Sequence, residues 1–124
     1  MRVQFGLAFA LATAVWAIPA IAQPVCVEPI PPAAPDPRKA TPQQMHDAVN
    51  DAKTFISQSD VYQLCLGNYI QAQKDESVKE KTPFDAGMAA DLQKKIDGNQ
   101  AAKIRTGAEI NDAVSAYKLA HPNN

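Results

Sequence analysis

Proline placement decides what this chain can become. Pro24, Pro29, Pro31, Pro32, Pro35 and Pro37 crowd one short stretch; beyond it only Pro42, Pro83 and Pro122 follow. A proline inside a helix removes a backbone donor and clashes with the preceding turn, at about 3 kcal/mol or more. The stretch from Gln23 to Ala40 therefore cannot be helix or central strand, and its composition predicts polyproline II. The two proline-free stretches after Pro42 and Pro83 are left free to form long helices.

Both stretches open with a helix-start signature. Thr41-Pro42-Gln43-Gln44 places a capping hydroxyl before a proline at the first helical position, with Gln two residues after the proline. Thr82-Pro83-Phe84-Asp85 repeats the pattern with Asp in place of Gln. Threonine oxygen accepts an orphan amide, and proline has no amide to orphan.

The first helix is predicted from Pro42 to about Asp75. Its apolar face is Met45, Ala48, Val49, Ala52, Phe55, Ile56, Tyr62, Cys65, Leu66 and Tyr69, in steps of three and four. Ser57–Asp60 is a candidate kink, and a turn is placed near 76–82. The second helix is predicted from about Pro83 to Ala120. Ala89, Leu92, Ile96, Ile110, Ala113, Tyr117 and Ala120 keep heptad spacing. The same register puts Asn99, Lys103 and Thr106 on the seam. That implies either a rotated helix face between Gly98 and Gly107 or a polar layer between the helices.

The predicted fold is all-α: an antiparallel, coiled-coil-like two-helix hairpin with a proline-rich extended N-terminal arm held by a disulfide. A short connection makes consecutive helices antiparallel neighbours. Cys26 and Cys65 are the only two cysteines. The fifteen steps from Cys26 to Thr41 reach roughly 46 Å as polyproline II. The helix from Pro42 to Cys65 climbs roughly 35 Å. The arm can thus lie back along the first helix and bring the two sulfurs together.

The N-terminus addresses the chain. Arg2, an apolar run from Phe5 to Ile18 and the exit Pro19-Ala20-Ile21-Ala22 have the pattern of a cleaved export signal. Residues 1–22 are expected to be removed, leaving an arm at 23–41, a helical domain at 42–120 and a tail at 121–124. The expected location is the periplasm or outside the cell, where a cysteine pair is oxidised. No membrane span is expected after cleavage. Loss of Arg2 leaves 11 of the 12 basic side chains against 13 acidic ones, a balance unlike the basic field of nucleic-acid binders.

The side chains offer little chemistry. No Cys-x-x-Cys, calcium loop, phosphate-cradling glycine loop or nucleophile elbow is present, so no enzyme activity and no cofactor are expected. His46 and His121 would fall at the same end of an antiparallel hairpin, with Asp47 and Asp112 nearby, which gives a weak metal-site candidate. Phe55, Tyr62, Tyr69, Ile70, Met88, Ile104 and Tyr117 are the candidate partner surface. A two-helix hairpin buries only one face of each helix, and tyrosine suits a face that is half packed and half wet. The function expected is a non-catalytic structural or protein-interaction module of the cell envelope, with a protein partner or self-association. The alternatives are a periplasmic metal-handling protein and a small helical chaperone or lipid-associated protein.

Overall fold

A computed structural model describes residues 25–123. The expected signal peptide lies outside the described residues, as do Gln23, Pro24 and Asn124. Two helices account for all the regular structure described: α1, Pro42–Glu80, and α2, Ala86–Ala120. They pack on each other as a hairpin. Residues 25–36 form neither helix nor strand, and a turn follows at 37–39.

The start of α1 is the one the sequence announces. Thr41 Oγ1 accepts the Gln44 amide at 3.1 Å, and Gln44 Oε1 accepts the Thr41 amide at 2.9 Å. This reciprocal box satisfies two amides at the N-terminal end.

The turn differs from expectation at both ends. α1 runs on through the charged stretch to Glu80, because Lys and Glu are good helix formers and a charged segment need not be a loop. Its Gln71 side chain bonds Asp75 four residues on at 2.8 Å. Lys81 ends the helix in the left-handed conformation, φ 54. The Lys81 amide then bonds the Val78 carbonyl and the Thr82 amide the Ser77 carbonyl, the paired closure of a Schellman end. Thr82 is therefore spent on finishing α1 and does not cap α2. Asp85 does, its Oδ1 accepting the Met88 amide at 2.9 Å.

A side chain in the left-handed region costs roughly 1–2 kcal/mol, and glycine carries no such penalty. Lys81→Gly is accordingly expected to raise stability by up to about 1 kcal/mol, read as a higher denaturation midpoint.

The seam follows alternating steps of three and four. On α1 the buried residues are Met45, Ala48, Ala52, Phe55, Ser59, Tyr62 and Leu66; on α2 they are Asn99, Thr106, Ile110 and Ala113. Facing numbers rise on one helix as they fall on the other. Met45 packs with Ala113, Ala48 and Ala52 with Ile110, and Ser59 bonds Asn99. This is the antiparallel sense.

No break occurs at Ser57–Asp60 or between Gly98 and Gly107, where both helices run continuously. A polar layer sits there instead. Asn99 Nδ2 donates to Ser59 Oγ at 3.2 Å, and Gln63 Nε2 donates to Asn99 Oδ1 at 2.8 Å. Lys103 pairs with Asp60 at the rim. No buried side-chain nitrogen or oxygen among the described residues lacks a hydrogen-bond partner. A buried polar group left unpaired costs about 1–3 kcal/mol, whereas replacing both partners by apolar groups can be nearly neutral. Asn99→Ala should lose about that amount, and Ser59→Ala should lose less when made in the Asn99→Ala background. A double-mutant cycle by chemical denaturation reads the coupling.

Burial along the seam is uneven. Every buried residue of α1 lies between Met45 and Leu66, and every buried residue of α2 lies from Asn99 onward. Towards the turn Tyr69, Ile70, Met88, Leu92 and Ile96 are only half-buried. The disulfide at Cys65 and the burial of Ala40 against Met45 and Ala113 both fall in the buried half.

Candidate functional site

Cys26 and Cys65 are joined in a disulfide, with Cα atoms 5.9 Å apart. It fixes the start of the described chain to the middle of α1. Between that bond and the turn at 37–39, partial burial recurs every third residue. Cys26, Pro29, Pro32 and Pro35 are half-buried while the residues between them are exposed. Pro29 shares a depression with Ser57, Gln58 and Val61 of α1, and Pro35 another with Gln44. Glu28 reaches Tyr62, whose hydroxyl lies 3.5 Å from Glu28 Oε2.

Burial first, and then the Glu28 carboxylate, push the Tyr62 phenol above its ordinary value of 10.0. A group raised in the folded state favours folding while it is protonated. The Tyr62 contribution is therefore fully present below pH 10 and is lost as pH rises through the higher folded value.

The depression lined by Val27, Pro29, Ser57, Gln58 and Val61 holds about 370 Å³. Val27 and Val61, both in its lining, and Val25, Ile30 and Leu64, near them in sequence, each keep 64–93% of their surface exposed. Lone exposed apolar residues are ordinary, but a contiguous group is informative. Val61 and Leu64 are three apart on α1 and so share a face. Val27 and Ile30 are three apart on the segment beside them.

The side chains expected to form a partner surface are scattered. Phe55 and Tyr62 are buried in the seam, because the three-four spacing that made them conspicuous is the spacing of the hairpin's own core. Tyr69, Ile70 and Met88 are half-buried towards the turn; Ile104 is exposed on α2. Tyr117 is half-buried and stacks on His121 with ring centroids 4.5 Å apart. These seven do not make one continuous exposed stripe. Val27, Pro29, Ile30 and Leu64 were missed. The available signal was the proline-rich composition of the segment after Cys26, whose expected polyproline II period of three puts Val27 and Ile30 on one face.

The metal candidates are not assembled. His121 Nε2 lies 3.3 Å from the Pro37 carbonyl, where an Nε2–H donates. His46 Nδ1 lies 3.2 Å from Asn50 Nδ2. Asp47 accepts from Gln43 Nε2 at 2.8 Å, and Asp112 is exposed on α2. Each histidine is engaged within its own neighbourhood. Among the described residues no group of three or more His, Cys, Asp or Glu side chains is placed to hold a metal ion. No helix of the described residues is long and apolar enough to cross a membrane.

Set against family models, curated proteins and solved structures, the chain matches none of them.

Proposed function

We propose that this chain is an exported, non-catalytic protein-interaction module of the cell envelope. Its binding face is the apolar patch where the N-terminal segment lies on α1. The observation that carries the reading is the exposure of Val27 and Val61 at one shallow depression lined also by Pro29, with Ile30 and Leu64 exposed three residues on from each, in a region held in shape by a covalent bond. Preorganised apolar surface binds well because little conformational freedom is lost on association.

In this reading the segment from Val25 to Asp36 is a polyproline II arm. Its half-buried residues recur with that helix's period of three. Three arm residues rise about 9.3 Å, and seven residues of an α-helix rise about 10.5 Å. One turn of the arm thus matches one heptad of α1: Cys26 meets Cys65, Pro29 meets Gln58 and Pro35 meets Gln44. Export is supported by the N-terminal pattern from Arg2 to Ala22 and by the disulfide, which belongs to an oxidising compartment. The partner would offer an apolar, aromatic-bearing surface. The arm supplies backbone carbonyls but, at its prolines, no donors.

The test compares variants for cross-linked partner recovery from envelope extracts. Ile30→Asp with Val61→Asp should reduce recovery at least roughly tenfold, since a charge buried in an apolar contact costs more than about 1.4 kcal/mol. Val78→Asp, on a remote exposed valine, should leave recovery unchanged. Equal recovery with the double variant and with wild type removes the proposed face.

A further inference from the structure

The segment that frames this patch is held unevenly. At one end the turn after Asp36 is well anchored. Its amides bond back to Asp36, Arg38 to Oδ1 and Lys39 and Ala40 to the carbonyl. Pro37 meets His121, and Ala40 is buried against Met45 and Ala113. At the other end stands the disulfide. Between them, residues 27–35 make one hydrogen bond to the helices among those the structure shows, the long Tyr62–Glu28 contact. Four prolines in that span have no donor to give, and Val27 and Ile30 keep 78% and 88% of their surface exposed.

We propose that Cys26–Cys65 is a redox latch. Reduction lets residues 25–35 swing away from α1 about the anchored turn, while the hairpin stays folded. This deepens the interaction reading and rests on it for its use: the latch would dismantle the binding face and bare the line of α1 beneath it. The reductant is a dithiol. One of its thiolates attacks a sulfur of the bond and expels the other as thiolate. Its second thiol resolves the mixed disulfide. Two electrons pass, the reductant leaves oxidised, and both cysteines end as thiols after taking up two protons.

Two features separate the arm from the hairpin energetically. The seam contacts of Ala48, Ala52 and Ile110 involve no residue of the arm. Towards the turn, where the arm does not reach, both helices continue with half-buried seam residues. The half under the arm would come to resemble that end. Tyr62 reports the change, because its hydroxyl lies beneath Glu28.

The mature chain is compared oxidised, and reduced then capped with iodoacetamide. Helix content is followed by far-ultraviolet circular dichroism, and tyrosine nitration by tetranitromethane is mapped by mass spectrometry. Capping should leave the helical signal intact and raise Tyr62 nitration severalfold relative to Tyr69 in the same molecule. The uncapped double variant Cys26→Ser with Cys65→Ser should behave alike, which separates release from any wedge made by the capping groups. An unchanged Tyr62 rate in both forms overturns the latch, and so does loss of the helical signal with the bond. Neither result depends on a partner. The interaction reading fails separately, if Ile30→Asp with Val61→Asp binds as wild type does.

Discussion

Phe55→Ala is expected to lower the unfolding free energy by about 3–5 kcal/mol, the range for deleting a buried phenylalanine. Phe55 keeps 2% of its surface exposed and is the one phenylalanine of the seam. Its neighbours along the buried line of α1, Ala48 and Ala52 on one side and Ser59 on the other, are small. They cannot extend into the space that the ring leaves. The cost combines lost transfer energy with a residual cavity. Domains of this size are stable by about 5–15 kcal/mol, so one truncation removes a large share. Urea titration followed by circular dichroism checks it: the midpoint should fall steeply with the slope unchanged. Ile104→Ala, on an exposed side chain, should move the midpoint little, within about 0.5 kcal/mol.

Opening the disulfide has the second large effect. The bond joins residues 39 apart, and loop entropy at that length stabilises the folded state by up to about 4 kcal/mol. On the latch proposal the freed arm regains conformational freedom in the folded hairpin, so the measured loss should fall below that ceiling. The difference between oxidised chain and Cys26→Ser, Cys65→Ser variant in denaturant midpoint gives it directly. A loss near zero would mean that closing the bond costs the folded and the unfolded chain the same entropy, as it does when the arm is fully released in the folded hairpin.

The parts of the fold legible in the sequence were those set by local chemistry and by periodicity. Thr41-Pro42 with Gln44 could be read because a capping box involves only neighbours in sequence. Asn99 and Thr106 could be placed on the seam because heptad spacing carried across them, even though polar residues there look like a fault. Ser59 was harder. Beside Asp60 it resembled a weak point, and only its partner on the other helix, Asn99, gives it a reason to be buried. The helix turn was misplaced for a similar reason. Thr82-Pro83 has the form of a start, but whether the Thr82 hydroxyl caps the next helix or its amide closes the last one depends on where α1 stops.

The candidate site was less legible. Phe55 and Tyr62 drew notice through spacing, and spacing marks a core before it marks a partner surface. His46 and His121 do lie on the elements that meet at one end of the hairpin, yet each finds a nearer partner in Asn50 or Pro37. The depression that Val27 and Pro29 share with Ser57, Gln58 and Val61 is a product of two segments far apart in sequence, joined nearby by Cys26–Cys65. No single stretch of sequence carries it.

The antiparallel register is the claim on which the polar layer and the arm both depend. Nuclear Overhauser contacts in the oxidised, isotope-labelled chain test it most directly. Cross-peaks from the Ala113 methyl to Met45, from Ile110 to Ala48 and Ala52, and from the Asn99 side-chain amide to Ser59 are predicted together. A set shifted by a heptad, or the absence of contacts between the two helices within one chain, would contradict the account.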